Sequence, residues 1–540
     1  MRDRAGSAVP RPRPRGPAAG LRAPDRGSWP PGRASSGHRK SLNTVEAHIG
    51  KVSDPSPGDA VDALAKTGRD GSPQVAEGES AEGYHRGLGA RQIQMMAIGG
   101  TIGTGLFLGA GSAIAQAGPS LILWYAVAGA VLFVVMRALG ELLVYRPVSG
   151  SFAEYAREFL GPFWGYATAW TYWIMWVTTG MAEITAAGQY VHYWAPGFAQ
   201  WKTALISLLV LFALNLISVK VFGELEFWFA LIKIVAIVGM ILIGVGVLTI
   251  GFSAAGDTAS VTHLWADGGI APHGVWDSTM TLQIVLFAYL GVELVGVTAG
   301  ESKDPEKNIP RAIKSLPWRF GIFYLGALIV ILSVVSWREF QPGVSPFVAA
   351  FAKIGIPAAA GIVNFVVLTS ALSSCNAGGL YATARMLRTA GRNGHGPKVL
   401  GRLTNRNIPA VALTVSAVTM AIGVGINAID PEHAFVYITS VSTGGAILVW
   451  SVILVTHLRY RRAVSAGRVA ASDYRAPGAP YTNYLALAFF AFVTVLIASS
   501  SDSRVALYVI AGWLVLLGLG YGLLKRQARA RRAAEPHGSR

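Results

Sequence analysis

The residues able to do chemistry in this sequence are a few polar side chains and glycine-rich breaks set inside long apolar runs. In the first run Thr101 and Thr104 sit among six glycines in thirteen residues, Gly99 to Gly111. At about 1 kcal/mol per glycine against alanine, that density weakens a continuous helix by several kcal/mol. Glycines also serve close helix packing, but packing uses small residues at four-residue spacing. A dense block around two threonines predicts an interrupted helix. A second candidate is Val285–Gly296, where Gly291 and Gly296 flank Glu293. On a helix starting near Ser278, Glu293 lies about 22 Å along the axis, in the inner half of a ~30 Å hydrocarbon layer. An interrupted helix offers free N–H groups and a positive dipole end to a carboxylate. Its unwound carbonyls suit an ammonium group. Two such breaks can hold both ends of a zwitterionic amino acid without any charged side chain.

Other polar residues fall inside apolar runs. Lys233, within Phe227–Ile234, lies two turns from the inner end of its run. Either it snorkels to the interface, or its ammonium meets the carbonyls of the broken first helix as a built-in cation whose protonation acts as a switch. Glu183 lies in the outer half of the third run and pairs with a polar neighbour or faces a pathway. Glu141 and Arg137, at the inner end of the second run, read as a structural ion pair. The run Thr369-Ser370-Ala371-Leu372-Ser373-Ser374-Cys375-Asn376 either lines the site or bonds its own helix backbone. Trp170, Trp173 and Trp176 share one helical face, which is usually packing, with a ring capping a pocket as the alternative.

The elements that must position these residues follow from composition and hydropathy. Of 540 residues 52% are hydrophobic and 14% charged, whereas a soluble domain is about a quarter charged. One polytopic membrane domain is expected, and 63 Gly, 15 Trp and 18 Tyr suit it. A lone Cys375 excludes an internal disulfide and cysteine-based zinc sites. A membrane-crossing helix needs about 20 apolar residues, and the sequence supplies twelve such runs: 93–114, 120–143, 162–190, 203–222, 226–250, 278–298, 319–337, 357–384, 409–427, 434–457, 483–500 and 504–524. Ser345–Ile356, short and bounded by prolines, reads as an interfacial helix. With both termini cytoplasmic, forty of the 46 basic residues fall on the inner side and the 251–277 loop carries none, as the positive-inside rule expects. The net charge of +17 is therefore an orientation signal, and nucleic acid is not an expected partner. Residues 1–85, rich in Pro, Gly and Arg without an apolar run, read as a disordered cytoplasmic tail and not a signal peptide. Residues 525–540 read as a basic cytoplasmic tail.

The fold expected is thus all-α. Interrupted first and sixth helices, at matching places in two five-helix halves (93–250 and 278–457), are the sequence sign of an inverted-repeat transporter, here followed by two further helices (483–524). No nucleophile elbow, HExxH or P-loop is present, so an enzyme is not expected, and no cofactor or metal is called for. The partners expected are a small amino acid, protons and membrane lipid; a monomer and a dimer both stand.

Ile98-Gly99-Gly100-Thr101-Ile102-Gly103-Thr104-Gly105-Leu106-Phe107 resembles the first-helix motif of amino acid permeases in the amino acid–polyamine–organocation superfamily. The resemblance extends over residues 86–524, through Gly140-Glu141-Leu142, Ser149–Phe152, Glu226–Lys233, Phe287–Glu293 and the loop Glu301–Ile313. Within the family the chain is most similar to D-serine/D-alanine/glycine permeases, through Thr171-Tyr172-Trp173, Thr179–Ala182, His263–Gly269 and Asn364–Ser370. L-asparagine permeases are next, through Arg146-Pro147 and Ser149-Gly150-Ser151. The resemblance implies proton-coupled uptake of small neutral amino acids across the cell membrane. It places the substrate carboxylate on the backbone of Gly103, Thr104 and Gly105. It places the ammonium on carbonyls of Thr101, Ile102, Phe287, Ala288 and Leu290. Lys233 matches a lysine that stands in for a coupling sodium, and Glu293, Ser373 and Ser374 complete the candidates for proton coupling. An exchanger, a sodium-coupled carrier and an amino acid sensor are the alternatives.

Overall fold

The structure is a computed structural model and describes residues 102–148, 151–217, 219–250, 259–294, 296, 305–353 and 357–534. The expected tail over residues 1–85 and the site candidate Thr101 lie outside the described residues.

All regular structure among the described residues is helical. A π-helical turn, Gly105–Gly109, leads into α1, Ala110–Ala117, and a 3₁₀ turn, Gly118–Ser120, joins it to α2, Leu121–Tyr145. Next come α3, Ser151–Leu160, α4, Pro162–His192, α5, Gln200–Ile217, and α6, Val219–Ile250. Two short helices, α7, Gly274–Met280, and α8, Leu282–Ala288, precede α9, Pro305–Lys314, and α10, Leu316–Arg319. A π turn, Phe320–Gly326, continues into α11, Ala327–Val334. The interfacial segment forms α12, Pro346–Lys353. The last elements are α13, Pro357–Ser374, with a π turn at Cys375–Ala382, then α14, Thr383–Arg392, α15, Ala410–Ile429, α16, Ala434–Ser465, α17, Tyr481–Ser499, and α18, Val505–Ala534. The last helix thus carries Lys525, Arg526 and Arg529 past the boundary expected for a tail.

Nine helices among the described residues are long and apolar enough to cross a membrane, against twelve expected runs. The difference has three physical sources. Helical structure carries through the Gly118–Ser120 turn, so two runs form one 41-residue stretch, Gly105–Tyr145. The sixth run is divided into the short α7 and α8. The third run, α4, is polar for a span because it is an interior helix rather than a lipid-facing one. Its hydroxyls Thr168, Thr179 and Thr185 donate to the carbonyls of Trp164, Met175 and Met181, at 2.6, 2.7 and 2.7 Å, so these three hydroxyls are satisfied within the helix. By contrast α18 leaves Val515, Leu516, Leu519 and Leu523 exposed, a surface suited to lipid.

The core packs around α4. Thr179 and Ser442 of α16 share a 2.6 Å hydroxyl contact, and Ser442 reaches the Met175 carbonyl at 3.1 Å. On another side Gly180 meets Gly379: a Cβ on either would lie 2.9 Å from the other's Cα. That approach brings α4 onto the π turn after α13, which fixes Glu183 relative to Ser374.

The expected pairing of Glu141 with Arg137 is not formed. Arg137 instead donates to the Tyr474 hydroxyl and to the Arg475 carbonyl. The Glu141 carboxylate is buried and binds the C-terminal turns of α16: Arg461 Nε lies 2.7 Å from one oxygen, and Arg461 Nη2 and His457 Nε2 lie 2.8 and 3.0 Å from the other. The Ala476 amide donates to it at 2.6 Å. Both side chains reach the returning 466–480 segment, Arg137 at Tyr474 and Arg475 and Glu141 at Ala476, but only Glu141 also binds α16. Removing one member of a buried ion pair strands the other charges, at about 3–5 kcal/mol. Glu141→Ala is expected to lose stability on that scale by denaturant unfolding in lipid. Glu154→Ala, which breaks only the exposed 2.6 Å pair with Arg157, is expected to lose under about 1 kcal/mol.

Candidate functional site

Of the two expected interruptions the second lies within the described residues, and of the first they include only the part from Ile102 onward. At the first, Ile102 and Gly103 are non-helical, and the helical ladder begins where Leu106 and Phe107 donate to the Gly103 carbonyl at 3.2 and 3.3 Å. The main-chain N–H groups just ahead of that point have no helical partner. At the second, α8 ends at Ala288 and Tyr289–Glu293 form successive turns, with Gly291 at φ +95°. An L side chain is strained at that angle, so the glycine permits the chain to leave its helical path.

The two breaks touch. A Cβ on Gly105 would fall 2.4 Å from the Ala288 Cα, so only glycine lets the first helix lie against the main chain of the second. Behind this junction Tyr289 and Tyr324 stack at 4.6 Å, and Tyr125 packs against both. The Tyr324 hydroxyl donates to the Ala288 carbonyl at 2.9 Å. One of the carbonyls assigned to a substrate ammonium therefore already accepts a bond from within the protein. The Phe287 carbonyl accepts from the Leu290 amide at 3.1 Å, and the Phe287 ring packs edge-on to Phe435.

Lys233 does not snorkel. It is fully buried, and its Nζ lies 3.3 Å from the Ile102 carbonyl and 3.2 Å from Ser374 Oγ. One ammonium thus ties α6 to the first break and to the end of α13. Ser373, also buried, precedes Ser374 on the same helix. A π turn adjoins each contact, at Gly105–Gly109 and at Cys375–Ala382, and such turns often mark functional sites.

Sequence reasoning left the partner of Glu183 open, and the structure supplies it. Glu183 Oε1 lies 3.5 Å from the Thr104 amide and 2.7 Å from where a Cβ on Gly103 would stand. The structure therefore gathers Ile102, Gly103, Thr104, Glu183, Lys233 and Ser374 at the first break and joins it through Gly105 to Ala288. Glu293 is completely buried elsewhere, facing the Tyr172 hydroxyl and the Trp450 indole. Neither of its carboxyl oxygens has a hydrogen-bond partner of good geometry among the described residues. Of the tryptophans on α4, Trp170 donates to the His395 carbonyl, Trp173 to Ser416, and Trp176 covers Gly378, so this aromatic face is packing. His457 and its bond to Asn483 at 2.9 Å were not anticipated; a histidine ending an apolar run was the available signal.

A family profile described as amino acid permease matches residues 92–533. The chain is 47% identical over 452 residues to an uncharacterized amino acid permease of Bacillus subtilis, covering 84% of this chain and 97% of that protein. It is 45% identical over 456 residues to the D-serine/D-alanine/glycine transporter of Escherichia coli, with 84% and 97% covered. It is 41% identical over 464 residues to the L-asparagine permease of Salmonella typhimurium, with 84% and 92% covered. The described helices agree with a multi-pass membrane transporter, and the chain belongs to the amino acid permease family.

Proposed function

We propose that this permease imports small neutral amino acids of the D-serine, D-alanine and glycine type by proton symport across the cell membrane. The observation that carries the reading is the contact at Gly105 and Ala288 between a helix that starts after the non-helical Gly103 and one that stops inside its apolar run, with a buried ammonium on the Ile102 carbonyl. Twelve spans with both termini cytoplasmic, arranged as a five-plus-five inverted repeat and two added helices, complete the proposal. The 41-residue stretch divides at Gly118, α4 crosses as an interior helix, and α7 with α8 forms the outer half of the sixth span. Residues 86–524 form the transport domain, flanked by cytoplasmic tails over 1–85 and 525–540.

In this reading the substrate carboxylate takes main-chain N–H groups at Gly103, Thr104 and Gly105. Its ammonium takes carbonyls from Thr101 and Ile102 and from Phe287, Ala288 and Leu290. In hydrocarbon these groups are costly unless partnered, so a zwitterion that satisfies both breaks at once is favoured over a molecule with one charge. Lys233 serves as the coupling cation. An ammonium seated on the Ile102 carbonyl repels a sodium ion from the same place, which favours protons as the driving ion. Glu293, a buried carboxyl close to the second break, together with Ser373 and Ser374, completes the coupling set. Outward- and inward-facing states need differ by only a few kcal/mol, so substrate and proton together can shift the balance.

Reconstitution in liposomes tests the reading. Labelled glycine and both hands of alanine and serine are expected to accumulate only under an inward proton gradient; accumulation that follows sodium and ignores pH, or prefers asparagine, selects the alternatives. Lys233→Ala is expected to reach the membrane yet lose accumulation against a gradient, and full accumulation would remove its coupling role. Glu293→Gln is expected to slow uptake at least tenfold at unchanged protein level. Gly105→Ala, which forces a methyl into the Ala288 main chain, is expected to abolish uptake, whereas Gly239→Ala, at a glycine with open space around it, is expected to retain it.

A further inference from the structure

Glu183 is 2% exposed in the centre of the protein. Its Oε1 points at the Thr104 amide, and its Oε2 has no hydrogen-bond partner among the described residues. The Thr104 hydroxyl, 1% exposed, also faces the Glu183 carboxyl, without a hydrogen bond of good geometry among the described residues. A carboxyl therefore occupies the main-chain donor that the transport reading gives to the substrate's own carboxylate. The titratable groups facing it among the described residues are Lys233 of α6, Tyr190 of its own helix and Cys375 of the π turn after α13. Only Lys233 brings a positive charge.

We propose that Glu183 is a resident stand-in for the substrate carboxylate, and that substrate displaces it from the Thr104 amide by driving it to take up a proton. The proposal rests on the transport reading and locates the proton within it. With the site empty, one carboxylate and one ammonium are enclosed together and their charges cancel. An incoming substrate carboxylate at the same amide would place two negative charges side by side in a dry site, which is unfavourable unless one of them is neutralised. A carboxyl that takes a proton becomes neutral, releases its hold on the amide and can donate to a new acceptor. The balance is one proton and one zwitterion in, with no bond of the substrate made or broken: Glu183-COO⁻ becomes Glu183-COOH while Lys233 stays charged. Release on the far side reverses both events. Substrate and proton then bind together because each removes the obstacle to the other, which is the reciprocity that coupled transport requires.

The test is calorimetric titration of the whole reconstituted protein with glycine, in buffers of different ionisation enthalpy, across a series of pH values. The wild type is expected to take up about one proton per glycine bound, and its affinity to weaken about tenfold per pH unit once Glu183 is ionised. Glu183→Gln keeps the shape but cannot titrate, so it is expected to bind glycine with about one proton fewer and a flat pH profile. Glu183→Asp is expected to restore both the proton uptake and the slope. Infrared difference spectra of the wild type need no variant: glycine at neutral pH is expected to raise a protonated-carboxyl band. Wild-type proton uptake in a glycine-binding Glu183→Gln protein, or no carboxyl band in the wild type, would overturn the proposal and leave transport standing. Failure of the wild type to bind any small amino acid would remove the transport reading, and this proposal with it.

Discussion

Main chain that leaves a helix inside an apolar interior must find its partners elsewhere, and the site in this protein is built around that requirement. Ile102 and Gly103 are non-helical, and the polar groups there are met by side chains from three other helices: Lys233 at the Ile102 carbonyl, Glu183 at the Thr104 amide, and Ser374 as a further contact of the ammonium. At the second break Tyr324 does the same for Ala288. In the proposed reading a substrate carboxylate takes the place of Glu183 at the Thr104 amide. A site of this kind is costly without partners and selective for a ligand that supplies them.

The rest of the fold serves to hold the two breaks against each other. The Gly180–Gly379 contact sets α4 on the end of α13 and so brings Glu183 and Ser374 to one place. The Gly105–Ala288 contact then brings the second break to the first. Far from this centre, the Glu141 carboxylate joins α2, the C-terminal end of α16 and the segment leading to α17. Both centres use a buried carboxylate against a cation. In the second, the Ala476 amide and Arg461 Nη2 hold the carboxylate at 2.6 and 2.8 Å, whereas in the first the Thr104 amide lies at 3.5 Å and Oε2 has no hydrogen-bond partner among the described residues.

Much of this was legible in the sequence, for reasons particular residues make clear. The break at Tyr289–Glu293 was readable because a glycine such as Gly291 has a local effect that needs no knowledge of neighbours, and Lys233 because a charge in an apolar run must be explained. What Glu183 and Glu141 touch was not readable, since their partners lie 79 and 320 residues away in the chain. Local proximity even misled: Arg137 lies one turn from Glu141 yet turns toward Tyr474. The apolar runs likewise gave the elements but not which of them faces lipid. α4 is an interior helix whose threonines read as polarity, and only packing shows that they bond back to their own backbone.

The central claim is that main chain at two facing breaks receives the two ends of an amino acid. An experimental structure of the protein in lipid with bound glycine or D-alanine tests it most directly. The expected result is the carboxylate on the amides of residues 103–105 and the ammonium on carbonyls of the first and second breaks, with Glu183 drawn away from Thr104. Continuous helices through 102–103 and 289–293, or an amino acid bound wholly by side chains elsewhere, would contradict the account.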